Sequence, residues 1–326
     1  MTLPYTMRLL CLCCASFFML HLALALAARL SAGTAVRVAE HMKPSSAARF
    51  LFALRMSPLV LTLFAVLAFC IPSYLWLEPQ IAGEKVGWLC AAMALLGVAL
   101  WTSALTRVMG AVRGTTRYLH QCERHGRKIS VPGEGSPALL LAGKNPVLAV
   151  AGVFRPRLLI SRRVMRGLSP EQRQAALRHE QAHRSSGDNL KRFLLMLAPD
   201  AVPFLGTFGG LERAWAKFTE WAADDQATEG DPQRALSLAS ALVCVAKMGS
   251  RPHVGYLSCS LVGGSQDLSE RVERLLRPQP KPGKPVKEVI ALLTGASALI
   301  ASAVAVVSLW PGSLSVVHQA LEQLVH

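Results

Sequence analysis

Charge is what this sequence has least of. Of its 326 residues only 17% are Asp, Glu, Lys or Arg, while 52% are hydrophobic and the mean hydropathy is +0.35. Soluble domains carry about 25% charge, so the balance argues against an ordinary cytosolic protein. It argues equally against a disordered chain, which is rich in charge and poor in apolar residues. Acidic residues are the scarcer sign, 20 against 35 Lys and Arg, leaving a net charge of +15. The one Cys-x-x-Cys spacing among the eight cysteines, Cys11-Leu-Cys-Cys14, lies inside an apolar run, as do Cys70 and Cys90. A disulfide framework and a cysteine zinc site are therefore not indicated, and small apolar filler is the expected role. Internal repeats and long low-complexity segments are also missing.

What the chain does contain is four uncharged stretches: Leu9–Ala28, Pro58–Leu77, Val86–Thr106 and Val289–Trp310, of 20, 20, 21 and 22 residues. Each is long enough to cross a hydrocarbon core of about 30 Å as a helix. The first could alternatively be a secretory signal, since Ala25-Leu-Ala-Ala28 resembles a cleavage site. Its apolar core exceeds the usual signal length and the heavier charge follows it, so a retained helix is expected. Residues 29–55 hold five basic side chains against Glu40, the stretch Glu78–Lys85 is net −1, and residues 107–287 hold 28 basic against 15 acidic side chains. Positive segments mark the cytoplasmic side. Both termini and the short second loop are thus expected outside, with the first loop and the long middle segment inside. The basic surplus is then a topology signal. No aromatic–basic interleaving points to nucleic acid, and none is expected as a partner.

His21 in the first run reads as a buried, hydrogen-bonded histidine rather than part of a polar path, and Pro72 as a kink or helix end. The stretch Arg277–Lys287 (RPQPKPGKPVK) cannot continue a helix and reads as a linker. Within the middle segment, Ser169-Pro-Glu-Gln172 predicts a capped helix start running to about Ser185, with Gly187 and Asp188 ending it. On that helix sits HEQAH, residues 179–183. His179 and His183 are four apart and project from one face, where two imidazoles can hold one Zn2+. Glu180, one step round, can reach a water there without ligating the metal. A catalytic zinc needs a third protein ligand. Leu211–Glu229 reads as a helix stopped by Gly230, and on it Glu220 and Asp224 share a face. A carboxylate ligand and a carboxylate that orients an imidazole fit that face. Asp225 and Glu229 read as surface charges.

These pieces together resemble a known family. Asn145–Ser161 (NPVLAVAGVFRPRLLIS), Leu168–Gln172 (LSPEQ), HEQAH, Asp188-Asn189 and Glu220–Asp224 (EWAAD) resemble the BlaR/MecR-type integral-membrane zinc metallopeptidases over residues 110–280. The EWAAD form is also similar to HtpX/Ste24-type membrane proteases, and both groups are gluzincins. The resemblance implies His179, His183 and Glu220 as zinc ligands, Glu180 as general base and Asp224 as a supporting carboxylate. It further implies that the hairpin Val147–Ile160 offers an edge strand, through Val147, Ala149 and Ala151, to which an extended substrate adds. Leu268–Leu276 resembles the family's late Arg-containing helix and is assigned a structural role. Two departures stand out. Arg178 replaces a small residue before the first histidine, and only about 16 residues follow Trp310, without a Ser-x-x-Lys motif, so a drug-sensing domain is not expected.

The expected fold is a mainly α membrane protein with four transmembrane helices and a cytoplasmic α+β gluzincin metallopeptidase domain inserted between the third and fourth. Residues 1–110 would hold three spans (about 9–28, 58–77 and 86–106) and residues 111–287 the zinc domain. Residues 288–326 would hold the fourth span (about 289–310) and a short periplasmic tail. The expected activity is that of a zinc endopeptidase in a bacterial inner membrane. It would cut cytoplasmic or membrane-proximal proteins, a transcriptional repressor or the protein itself among them. A quality-control protease of the HtpX/Ste24 sort and a non-catalytic signalling scaffold are the alternatives. Nothing in the sequence fixes the oligomeric state.

Overall fold

The computed structural model describes residues 4–77, 86–131, 137–143, 145–200, 208–249, 258–260, 265–277 and 313–325. The protein is mostly helical with one small mixed sheet. Three long helical stretches are apolar and long enough to cross a membrane: α1 (Tyr5–Glu40), the continuous α2 (Pro44–Ala65), π-helical turn (Val66–Cys70) and α3 (Ile71–Leu77), and α4 (Trp88–His125). They contain the first two uncharged runs and all of the third but Val86 and Gly87. The expected fourth span lies outside the described residues.

Each stretch is 34 to 38 residues long, about 50 Å at 1.5 Å per residue, against a hydrocarbon core of about 30 Å. The basic stretch Arg29–Arg55, expected as a loop, is instead the end of α1 and the start of α2 joined at His41–Lys43. It is rich in Ala, Leu and Arg, all strong helix formers, and Pro44 sits at N1 of α2 where its missing N–H costs nothing. Pro58 lies inside α2 and cannot donate to the Leu54 carbonyl; the Ser57 hydroxyl donates to that oxygen instead, at 2.9 Å. Pro72 follows directly on the π-helical turn, whose wider ladder relieves the ring's clash with the preceding turn. Against α1, α4 packs at Gly97, where a Cβ would fall 2.5 Å from the Cys14 carbonyl oxygen, so only glycine permits that approach.

The two ends of the bundle are marked by side-chain contacts. At one end the Tyr5 hydroxyl donates to the Tyr74 carbonyl and the Tyr74 hydroxyl to the Tyr5 carbonyl (3.4 and 3.2 Å). The C-terminal helix α11 (Ser313–Val325) packs there through Val317 and Leu321. At the other end Arg55, 2% exposed, pairs with Asp200 at 2.7 Å and with Glu212 at 3.0 Å, and Arg107 pairs with Asp200 at 2.7 Å. Arg55 and Arg107 border the second and third uncharged runs, so those runs are antiparallel and the rest of the domain grows from their shared end. His21, buried in α1, donates from Nε2 to the Pro199 carbonyl at 3.0 Å and stacks on Phe17. Residues 198–200, expected wholly within the cytoplasmic segment, therefore pack among the long helices.

The sheet order is β1-β2-β4-β3-β5, with β1 (Arg127–Ile129), β2 (Ala138–Leu141), β3 (Leu148–Ala151), β4 (Arg157–Ser161) and β5 (Ser258–Ser260). Of the described strand pairs only β2 and β4 run parallel. Around it lie α5 (Arg162–Gly167), α6 (Pro170–Ser186), α7 (Asp188–Leu197), α8 (Gly209–Thr228), α9 (Pro232–Lys247) and α10 (Ser265–Leu276). One face, with Leu148, Val150, Leu158 and Ile160, packs on Ala175 and Ala176 of α6 and on Leu238 and Leu242 of α9. The other face, with Leu139, Ala151 and Leu159, packs on Cys122, Leu119 and Tyr118 of α4. Covered on both faces, β3 and β4 read as unbroken apolar runs instead of alternating. A separate core joins Leu211, Trp215 and Phe218 of α8 to Ala39, Ala47 and Leu51 of the overhanging α1–α2 hairpin.

The expected open edge at Val147, Ala149 and Ala151 is not found. β3 is an interior strand, paired antiparallel to β4 and also to β5, with Ala149 opposite Ser260 and Ala151 opposite Ser258. Unpaired peptide groups along a buried strand are costly, and a later piece of the same chain satisfies them. That pairing spans more than a hundred residues of sequence, which local alternation cannot reveal.

Candidate metal centre

The helix α6 begins as its sequence dictates. Ser169 accepts from the Gln172 amide, the Gln172 side chain accepts from the Ser169 amide, and Pro170 occupies N1. It ends at Gly187 in the left-handed region (φ +66°), where a side chain would be strained. That residue reverses the chain at once into α7, whose first residue, Asp188, turns back on the final turn of α6.

Between these caps the predicted residues meet. His179 Nε2 and His183 Nε2 are 3.1 Å apart. The Glu220 carboxylate on α8 lies 3.5 Å from His179 Nε2 through Oε2 and 3.5 Å from His183 Nε2 through Oε1. Ligands of a tetrahedral ion with bonds of about 2.0–2.1 Å are separated by roughly 3.3 Å, so the three donors already stand near that spacing. Among the described residues this is the group of His, Cys, Asp and Glu side chains able to hold a metal ion. The other ring nitrogens face carboxylates: His179 Nδ1 lies 2.9 Å from Asp224 Oδ1 and His183 Nδ1 2.8 Å from Asp188 Oδ2. Such partners keep the proton on Nδ1 and leave the Nε2 lone pairs for an ion. Glu180 is fully buried beside the pair, and neither of its oxygens makes a regular hydrogen bond with a described residue. A polar ligand at the centre is what such a carboxylate lacks. The donor set and the buried Glu180 carboxyl beside it both fit a zinc-sized divalent ion.

Arg178, half-exposed, takes no part in these contacts. Glu229, exposed, is the expected surface charge and pairs with Arg234 on α9, while the partly exposed Asp225 pairs with Arg274 on α10 at 2.7 Å. Three participants escaped the sequence reading. Asp188 and Asn189 belong to the resemblance, but the sequence gives them no role at the site beyond a helix stop. Asn189 donates to the Val150 and Gly152 carbonyls at 3.0 and 2.9 Å, tying α7 to the β3–β4 hairpin. Arg271, on the late helix α10, reaches Asp224 and Glu220. The adjacent Asp188-Asn189 pair directly after a glycine stop was the available signal for the first two.

The electrostatics follow from burial and pairing. Burial pushes the Glu180 carboxyl up to about 7 in the ion-free site. Burial also opposes charge on Asp224 and Glu220. Arg271 and His179 nevertheless hold Asp224 down at about 2, and His183 and Arg271 hold Glu220 well below the carboxylate range. Burial disfavours the His179 cation, but Asp224 and Glu220 more than offset it and raise its pKa. Glu180, raised from its ordinary 4.5, contributes a stability cost that grows as pH rises from about 4.5 to 7. The raised His179 adds a loss in the same direction, above its ordinary 6.5. Asp224 contributes stability that is lost only as pH falls through its ordinary 3.8 towards 2. The ion-free protein is therefore expected to unfold more easily at pH 7 than at pH 5. Glu180→Gln should remove about 2 kcal/mol of that difference. Thermal unfolding in detergent with chelator checks this, and an unchanged pH slope in the variant would contradict it. Asp188→Ala should weaken zinc affinity by about 10–100-fold, measured by chelator competition, because it frees the His183 ring.

Compared with protein-family models and with curated proteins, the chain gives no match.

Proposed function

We propose that this chain is a membrane-embedded zinc endopeptidase. The observation that carries the reading is the convergence of His179, His183 and Glu220 at ligand spacing beside a buried Glu180 without a regular hydrogen bond. A bound zinc ion would supply Lewis acidity, polarising a peptide carbonyl and acidifying a water. Glu180 takes the proton of the attacking water and passes it to the departing amine; its carboxyl is buried beside the paired imidazoles, where it can do both. Asp224 and Asp188 hold the imidazole tautomers. Glu220 keeps 18% side-chain exposure while both histidines are nearly sealed, so access is from its side.

Membrane-proximal protein substrates fit the architecture. The ten-residue α7 starts at Asp188, in contact with His183, and the residues after it, Ala198 and Pro199, meet Arg55 and His21 of the long helices. At 1.5 Å per residue that distance is about 15 Å. The positive-inside pattern supports a bacterial inner membrane with the zinc domain, residues 111–287, in the cytoplasm. A fourth span near 289–310 agrees with α10 resting on the domain and α11 at the opposite end of the bundle. The resemblance to the BlaR/MecR-type peptidases supports cleavage of a regulatory protein such as a repressor. The HtpX/Ste24-like alternative differs in cutting misfolded membrane proteins broadly. A non-catalytic scaffold would need neither zinc nor Glu180. In the test, the purified chain is stripped with chelator and assayed on a peptide library. Cleavage should vanish and return with added zinc; a chain that cuts equally well without metal contradicts the proposal.

A further inference from the structure

The helix α10 was expected to be structural, yet it delivers one charged side chain into the metal centre. Arg271 is 2% exposed. Its guanidinium is bidentate on Asp224, with Nη2 donating to Oδ1 at 2.7 Å and Nε to Oδ2 at 2.9 Å. Its Nη1 stands 3.0 Å from Glu220 Oε2, and Nη2 lies 3.4 Å from His179 Nε2. One fork thus spans both carboxylates of the α8 face. Asp224 in turn orients His179, while Glu220 faces both imidazoles. Without a cation between them, two carboxylates one turn apart in a buried site repel each other, and each has other rotamers to adopt. The planar guanidinium fits such bidentate demands in a way that an ammonium does not. The rest of α10 is seated on the same helix and its neighbour. Glu270 pairs with Lys217, Arg274 pairs with Asp225 and lies over Trp221, and Leu268, Val272 and Leu275 enter the α9 core.

We propose that Arg271 is a positioning residue of the metal centre: it turns Glu220 toward the imidazoles and Asp224 against His179, so that metal binding depends on α10 being seated on α8. The inference rests on the metal-site reading above and extends it to a residue some 47 positions beyond Asp224.

The test uses the full chain in detergent, stripped of metal and titrated with Zn2+ under chelator competition and with Co2+ by visible absorption. Arg271→Met fills the volume without charge; Arg271→Lys restores one point charge. The Met variant should bind Zn2+ about 10-fold or more weakly and lose the intense bands of tetrahedral Co2+, while thermal unfolding shows that it is folded. The Lys variant should recover part of both. A folded Met variant with wild-type affinity and spectrum overturns the proposal, as does a Lys variant no better than Met. If Arg271→Met does not fold, Asp224→Asn, which weakens the fork's anchor and keeps the volume, should show the same loss of Co2+ signal, and an unchanged signal overturns the proposal. A wild-type chain that takes up no metal, or His179→Ala that binds as tightly as wild type, overturns the metal-site reading itself, which is a separate result.

Discussion

If the proposed function is right, Glu180→Gln should leave zinc in place and lower peptide-bond cleavage by about 10²–10⁴-fold. Glutamine keeps the shape of the side chain, and Glu180 is not among the three ligands, so the metal content has no reason to change. What disappears is the proton acceptor. Among the described residues at the site, no other carboxylate stands free to replace it: Asp224 is engaged by Arg271 and His179, Asp188 by His183 and Lys191, and Glu220 by the two imidazoles. The substrate's binding contacts are untouched, so the loss should fall on kcat more than on KM. Cleavage of a fluorogenic peptide by wild type and variant, with zinc measured in both, checks this. Equal activity in the two would remove Glu180 from the mechanism.

Arg55→Met should destabilise the protein by about 3 kcal/mol, the low end for breaking a buried ion pair. Arg55 is almost sealed, and it binds Asp200, Glu212 and the Ala198 carbonyl while stacking over the Phe208 ring at 4.4 Å. Asp200 retains Arg107 and Glu212 is 40% exposed, so neither carboxylate is left wholly uncompensated, which keeps the loss from being larger. The contact fastens the first turn of α8 to α2, and Glu220 lies eight residues further along α8. Lower thermal stability accompanied by weaker zinc binding is therefore expected. A variant as stable as wild type would show that the hairpin and α8 are held by their apolar contacts alone.

The parts of this arrangement that were legible in the sequence are those encoded locally. The three apolar runs lie almost wholly in the long helices, and the cap at Ser169, the stop at Gly187 and the helix through Glu220 follow from short-range chemistry. The four-residue spacings of His179 with His183 and of Glu220 with Asp224 fix shared faces in the same way. What escaped depends on contacts distant in the chain. β5 covers β3 from more than a hundred residues away, so the strand carrying Ala149 and Ala151 looks like an edge until its partner is seen. The stretch Arg29–Arg55 reads as a charged loop because its basic residues mask strong helix formers; its apolar face is used by α8. Arg271 lies in an ordinary amphipathic helix, and only the fold brings its guanidinium to Asp224.

The central claim is that His179, His183 and Glu220 together hold one ion. Elemental analysis of the detergent-purified chain, beside Glu220→Ala and His183→Ala, tests it most directly. The account predicts about one zinc per wild-type chain and loss of stoichiometric zinc in both variants. Wild type without zinc, or variants that retain it fully, would contradict the claim.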